Sequence, residues 1–166
     1  ALALVAGGVG ISRGDFYDSG QSLGASASVR VALGDLDGDG DLDVYLVSGG
    51  NEFPPNDDMY ADDLLINNGN AQFKNRTVLS RKVSGSIACS ADYDNDGDLD
   101  LFVGGRLKPQ QYPIADMSII LENNNGQFKS VQELDLGMIN DALWTDIDKN
   151  GSPELIAVGE WEAPQI

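Results

Sequence analysis

Three short runs of this 166-residue chain carry oxygen-bearing side chains at every second position. The first is Asp35, Asp37, Asp39, Asp41 and Asp43, with Gly40 inside it. The second, Asp92, Asp94, Asp96, Asp98 and Asp100 around Gly97, repeats the same pattern. The third is Asp146, Asp148, Asn150, Ser152 and Glu154 around Gly151. With the first Asp as position 1, a tight loop turns the side chains at 1, 3 and 5 to one side, where they converge on a point. The glycine at 6 permits the sharp bend. Position 7 (Asp41, Asp98, Ser152) offers its backbone carbonyl, and position 9 (Asp43, Asp100, Glu154) adds a carboxylate. About six or seven oxygens without nitrogen or sulfur form the donor set of a hard cation, and a flexible, carboxylate-rich loop suits Ca²⁺ better than Mg²⁺. We expect three Ca²⁺ ions, one per loop. Turn chemistry alone also gathers Asp, Asn and Gly, but it does not explain three loops with the same positions filled. Five acids within nine residues also repel one another unless a cation lies among them. An EF-hand is excluded, because it needs Glu at position 12 and a following helix. That position holds Leu46, Val103 and Ala157, each in a strand-like run.

The loops need elements to hold them, and the repeat supplies these. Gly34-Asp-Leu-Asp-Gly-Asp-Gly-Asp-Leu-Asp-Val-Tyr-Leu-Val47 returns as Ala91-Asp-Tyr-Asp-Asn-Asp-Gly-Asp-Leu-Asp-Leu-Phe-Val103 and as Thr145-Asp-Ile-Asp-Lys-Asn-Gly-Ser-Pro-Glu-Leu-Ile-Ala-Val158. The loop starts lie 57 and then 54 residues apart. A second motif, Leu64-Leu-Ile-Asn-Asn-Gly-Asn-Ala-Gln-Phe-Lys74, aligns without gaps on Ile119-Ile-Leu-Glu-Asn-Asn-Asn-Gly-Gln-Phe-Lys129, with Phe73 and Phe128 separated by 55. Two unlike motifs on one period define a repeat. A strand of small residues leads into each loop (29–33, 87–90, 142–144), and a β-branched and aromatic strand leaves it (44–47, 101–103, 155–158). A third strand ends at an Asn-Gly turn, and a short fourth carries the Phe. Four antiparallel strands per unit of this length make a β-propeller blade. The expected fold is therefore all-β, with about three blades. Residues 1–25 form the tail of a preceding blade, 26–82 and 83–136 whole blades, and 137–166 an incomplete one. Further blades are expected from the same or another chain. Ala1–Ala6 could pass for the apolar part of a signal peptide, but it lacks a Met and a basic leader and aligns better as a strand.

Composition narrows the functional classes. The net charge is −17, and 13 of the 27 acids sit in the three loops. Such charge argues against nucleic acid and anionic membrane surfaces as partners. No apolar run of about 18 residues exists, so no direct membrane insertion is expected. Histidine is absent, which removes the commonest general base and the usual zinc ligand. The single cysteine, Cys89, cannot form an intramolecular disulfide and is read as an inert residue in a small-residue strand.

The motif Asp-x-Asp-x-Asp-Gly-x-x-Asp between two strands, at this period, resembles the FG-GAP/VCBS repeats of integrin-α-type β-propellers. The stretches Tyr93–Arg106 and Asp141–Asp146 look most like secreted or surface-anchored bacterial members. The resemblance implies a seven-bladed ring, Ca²⁺ in the hairpin between the first two strands of each blade, and an extracellular or cell-surface setting, including anchorage at a bacterial outer membrane. The third loop departs from the pattern at Asn150 and Glu154. The Phe-Gly and Gly-Ala-Pro signatures behind the family name are absent as such.

Other chemistry is thin. Arg13-Gly14-Asp15 reads as an incidental turn rather than an adhesion signal. Asn75-Arg76-Thr77 fits the N-glycosylation pattern, relevant only on a eukaryotic secretory route. Trp144, Trp161 and Tyr112 suit either a sugar-binding surface or the blade cores, and the cores are the expectation. No nucleophile–base pair or phosphate-cradling loop is visible, so no catalytic residue is assigned and an enzyme is not expected. The leading expectation is a binding or adhesion module for a protein or carbohydrate ligand, with Ca²⁺ structural. The alternatives are a structural subunit of a larger surface complex and a non-catalytic part of a polysaccharide-active enzyme.

Overall fold

The computed structural model describes residues 5–6, 17–18, 20–21, 23, 26–161 and 163–166, with the backbone alone at 5–6, 17–18 and 75–81. Among the described residues the chain is all-β apart from one 3₁₀ turn, Asp58–Tyr60. Its strands are β1 (Val5–Ala6), β2 (Tyr17–Asp18), β3 (Ser28–Gly34), β4 (Asp43–Ser48), β5 (Ala61–Asn67), β6 (Phe73–Lys82), β7 (Gly85–Ala91), β8 (Asp100–Gly105), β9 (Ser118–Asn124), β10 (Gln127–Leu134), β11 (Met138–Thr145) and β12 (Glu154–Glu160). Strands β3-β4-β5-β6 form one antiparallel meander and β7-β8-β9-β10 a second, each with the order of a propeller blade. Strands β11 and β12 pair as the first hairpin of a third, and β1 pairs with β2. Among the described residues no helix is long and apolar enough to cross a membrane.

The second strand of each full blade is buried along its whole length, β4 as Asp-Val-Tyr-Leu-Val-Ser and β8 as Asp-Leu-Phe-Val-Gly-Gly. Such a strand is covered on both faces, so its sequence is a continuous apolar run rather than an alternation. One face of the first blade (Ala32, Tyr45, Leu64) packs on Ala88, Leu101, Val103 and Leu121 of the second. The opposite face of the second blade (Phe102, Ile120, Cys89) packs on Ile139, Ala142 and Ala157 of the third hairpin. Close approach at these seams selects glycine. A Cβ at Gly104 would lie 2.8 Å from Ile87 Cγ2 and 2.9 Å from Ile139 Cγ2 across the second seam, and one at Gly85 would lie 2.5 Å from Val47 Cγ1 across the first.

Two expectations need correction. The fourth strands are not short: β6 has ten residues and β10 eight, the longest strands of their blades. They are outer-edge strands, and β10 is exposed at most positions, so its polar Lys-Ser-Val-Gln-Glu run carries no apolar pattern that would mark its length. The ungapped alignment of the third and fourth strands is also off by one. Asn67 pairs with Phe73, while Asn123 pairs with Phe128. The first turn is thus one residue longer, and Asn67 corresponds to Asn123, not to Glu122. The shorter turn places Asn125 and Gly126 at φ 49° and 77°, the left-handed pair favoured in two-residue hairpins. Arg13-Gly14-Asp15 lies outside the described residues, as does most of segment 1–25; Leu23 packs against Val44, Leu46 and Leu65. Asn75–Thr77 lies on β6.

Candidate metal loops

Each Asp loop joins the first two strands of a blade, so all three sit at the same end of the assembly. The backbone explains two residue choices. Position 6 has φ of 92°, 98° and 94° at Gly40, Gly97 and Gly151, with open space where a Cβ would stand. Glycine is needed there for conformation and not for room. Position 4 is left-handed as well, at Gly38, Asn95 and Lys149.

The turn brings carboxylates together. Asp35, Asp37 and Asp39 each present a ligand atom, all within 4.8 Å of one another; Asp92, Asp94 and Asp96 do the same. In the third loop the cluster is Asp146, Asp148 and Glu154. The position-1 carboxylate anchors each loop. Asp35 accepts from Gly38 N (2.9 Å) and Gly40 N (3.0 Å), Asp92 from Asp96 N and Gly97 N, and Asp146 from Asn150 N and Gly151 N. Position 5 accepts from the amide at 7: Asp39 from Asp41, Asp96 from Asp98, and Asn150 from Ser152. The Asn150 side-chain amide donates to Asp148 Oδ2 at 3.0 Å, so the third loop pairs two of its own expected ligands.

Position 9 lies apart from the triads in the first two loops. Asp43 and Asp100 are buried at the start of β4 and β8. Asp43 accepts from Leu36 N and Asn67 N, each at 2.9 Å; Asp100 accepts from Tyr93 N (3.2 Å) and Asn123 N (2.8 Å). Each therefore ties its loop to the end of the third strand. Glu154 makes the first of these bonds, from Ile147 N at 2.8 Å. Burial raises both Asp43 and Asp100 above the ordinary carboxylate range; their backbone donors oppose this, and the nearby charges at positions 3 and 5 add to it. At position 7 the Asp98 side chain accepts from Asn125 N at 2.9 Å, and Asp41 lies beside Gly69, so both reach the turn between the third and fourth strands.

The sequence reading passed over Asn67 and Asn123. Both sit in a quoted repeat motif and read there as turn residues, yet Asn123 is buried and hydrogen-bonded on every side. Their recurrence at the end of the third strand was the available signal. The tryptophans divide. Trp144 lies in the seam between the second blade and the third hairpin, with its ring stacked on Tyr93 at 5.9 Å and its Nε1 buried without a partner among the described residues. Trp161 is 73 % exposed and meets Tyr112 edge-on at 5.9 Å.

Cys89 faces the same seam. Burial, reinforced by the charge of Asp141, pushes its thiol up to about 12. At pH 8 the thiolate population should fall about a thousandfold below that of a free cysteine. Labelling by a disulfide reagent is expected to be slow in the native protein by roughly that factor and fast in urea. Rapid native labelling would contradict the packing.

These blades and loops define an all-β repeat protein with a carboxylate-lined hairpin at the same corner of each blade. Residues 35–103 match the family model described as an FG-GAP-like repeat, so the chain carries FG-GAP-like repeat sequence across its first two Asp loops. No curated protein and no solved structure matches the chain.

Proposed function

We propose that this chain is a Ca²⁺-binding β-propeller module that works outside the cell by binding a protein or glycan, with the ions structural and no catalytic role. The observation that carries the reading is the recurrence of an all-oxygen cluster, within 4.8 Å, at the same corner of three blades. That donor set fits a hard, flexible-geometry cation. Asp35, Asp37 and Asp39, Asp92, Asp94 and Asp96, and Asp146, Asp148 and Glu154 would hold it. The ion would offset the repulsion among these acids, and the chain's own part is to hold the oxygens in place through the loop amides.

The meander puts the long connections between second and third strands at the opposite end from the Asp loops. Tyr112 and Ile114, each about half exposed, lie on one of them, and Trp161 packs against Tyr112. Exposed aromatics with amphipathic rings are suited to ligand contact. We place the ligand surface there. A glycan or protein ligand found by array screening should lose binding in W161A, and unaltered binding would move the surface elsewhere.

Calorimetric titration tests the metal reading. The wild-type chain is expected to take up three equivalents of Ca²⁺, and D35N, D92N and D146N to lose one each. The absence of saturable uptake would overturn the proposal. A second reading, a subunit that packs further blades of its own or another chain, is favoured by exposed apolar residues on both outer faces: Val29, Val31 and Leu33 on β3, and Leu143 and Val158 on the third hairpin. Light scattering that shows a stable monomer without dye-binding apolar surface would exclude it.

A further inference from the structure

Asn123 is 1 % exposed and stands where the two complete blades meet. Its side-chain Nδ2 donates to Leu36 O and to Leu99 O, each at 3.0 Å. Leu36 is position 2 of the first Asp loop and Leu99 is position 8 of the second, so one amide group holds two loops on two blades. The side-chain oxygen accepts from Gly126 N at 2.9 Å, which fixes the amide's orientation. The side chain thus uses both donors and its acceptor.

The bonds around Asn123 continue to the position-9 carboxylates on both sides. Asp43 accepts from Leu36 N, Leu36 O accepts from Asn123 Nδ2, Asn123 N donates to Asp100, and Asp100 accepts from Tyr93 N. This is a continuous path of buried or half-buried groups between the anchors of the first and second loops. Among the described residues, the second loop meets the third through an exposed side-chain contact, Asn95 Nδ2 to Ser152 Oγ at 3.0 Å, and meets the strand leading into it through the Tyr93–Trp144 stack. Asn67, at the equivalent place in the first blade, keeps the bond within its own blade, to Leu42 O at 3.2 Å.

We propose that Asn123 is a positioning residue that couples the cation sites of the first and second loops. Ordering of either loop fixes the shared amide and so favours the ordered form of the other. This rests on the calcium reading above. Coupling of this kind is reciprocal: an ion in either loop strengthens binding at the other by the same factor. The third loop, outside the path, is the internal control.

The test is a Ca²⁺ titration of the full ¹⁵N-labelled chain, followed at the amides of Gly40, Gly97 and Gly151. Each donates to the position-1 carboxylate of its own loop, so each reports its own site. D37N weakens the first loop. In the wild-type background D37N is expected to weaken binding at the second loop by about fivefold or more and to leave the third unchanged. In N123A that cross-effect should vanish. N123D keeps the size of the side chain and its acceptor while removing both donors, and it should also lose the cross-effect if N123A folds poorly. A residue with a merely structural role would lower the melting temperature and leave the cross-effect in place, which would overturn the proposal. A second loop indifferent to D37N in the wild type would overturn it too. If none of the three glycines responds to Ca²⁺, the calcium reading itself fails and takes this proposal with it.

Discussion

Asp100→Ala should lower the stability of the chain by about 2–6 kcal/mol, because two N–H groups, one buried and one partly buried, lose their acceptor at a cost of roughly 1–3 kcal/mol each. Those donors are Tyr93 N and Asn123 N, and the carboxylate between them is 1 % exposed. At about 2–4 °C per kcal/mol for a chain of this size, the melting temperature should fall by roughly 4–24 °C. Asp100→Asn keeps one carbonyl oxygen and turns an N–H₂ toward the other donor, so its loss should be smaller but still measurable. Matched melts of the two variants check the ordering. If D100A melts with the wild type, the carboxylate is not the strut between loop and third strand.

The second large effect lies in the core. Phe102 is fully buried in β8 and packs with Ile120, Ile139 and Ala157, joining the second blade to the third hairpin. Phe102→Ala removes a large, fully buried side chain from this seam. The expected loss is about 3–5 kcal/mol. Urea unfolding followed through Trp144, which lines the same seam, reads it directly. A loss under about 1 kcal/mol, well below the cost of truncating a buried Phe to Ala, would mean the hairpin does not pack there.

Much of this was legible in the sequence because it rests on short-range chemistry. The strand that leaves each Asp loop announces itself: β4 and β8 carry unbroken apolar runs, 44–47 and 101–103, and the loops carry glycine at position 6, where the backbone is left-handed. The gathering of Asp35, Asp37 and Asp39 follows from their spacing in one loop. What could not be read depends on neighbours distant in the chain. Asn123 looks like one more turn residue until Leu36, 87 residues away, is placed against it. The added residue in the turn before Phe73 shifts a register that an ungapped comparison cannot see. Outer strands such as β10 lack an apolar pattern, since one edge faces solvent. Trp144 and Trp161 are alike as letters, yet one fills a seam and the other stands exposed.

The central claim is that cations in the three loops are part of the fold, and its most direct test is a pair of thermal melts, in millimolar Ca²⁺ and in excess EGTA, at pH 7 and near pH 5. At free Ca²⁺ about a hundred times Kd, each site adds roughly 2.7 kcal/mol, so chelation at pH 7 should lower the melting temperature by at least about 15 °C. The two states should answer acid in opposite ways. Asp43 and Asp100 titrate above the ordinary carboxylate range in the ion-free chain. A carboxyl of that kind favours the fold when protonated; the contribution is complete below the unfolded value and is lost as pH rises through the folded one. Ion-free stability should therefore rise as pH falls toward that range. Asp58, held low by Lys82, has the opposite sign but is fully exposed and screened. The Ca²⁺-loaded chain should lose stability over the same interval, because its ligands must be deprotonated. A large Ca²⁺-dependent gap at pH 7 that narrows at pH 5 is the predicted result. Superimposable melts with and without chelator at pH 7 would contradict the account.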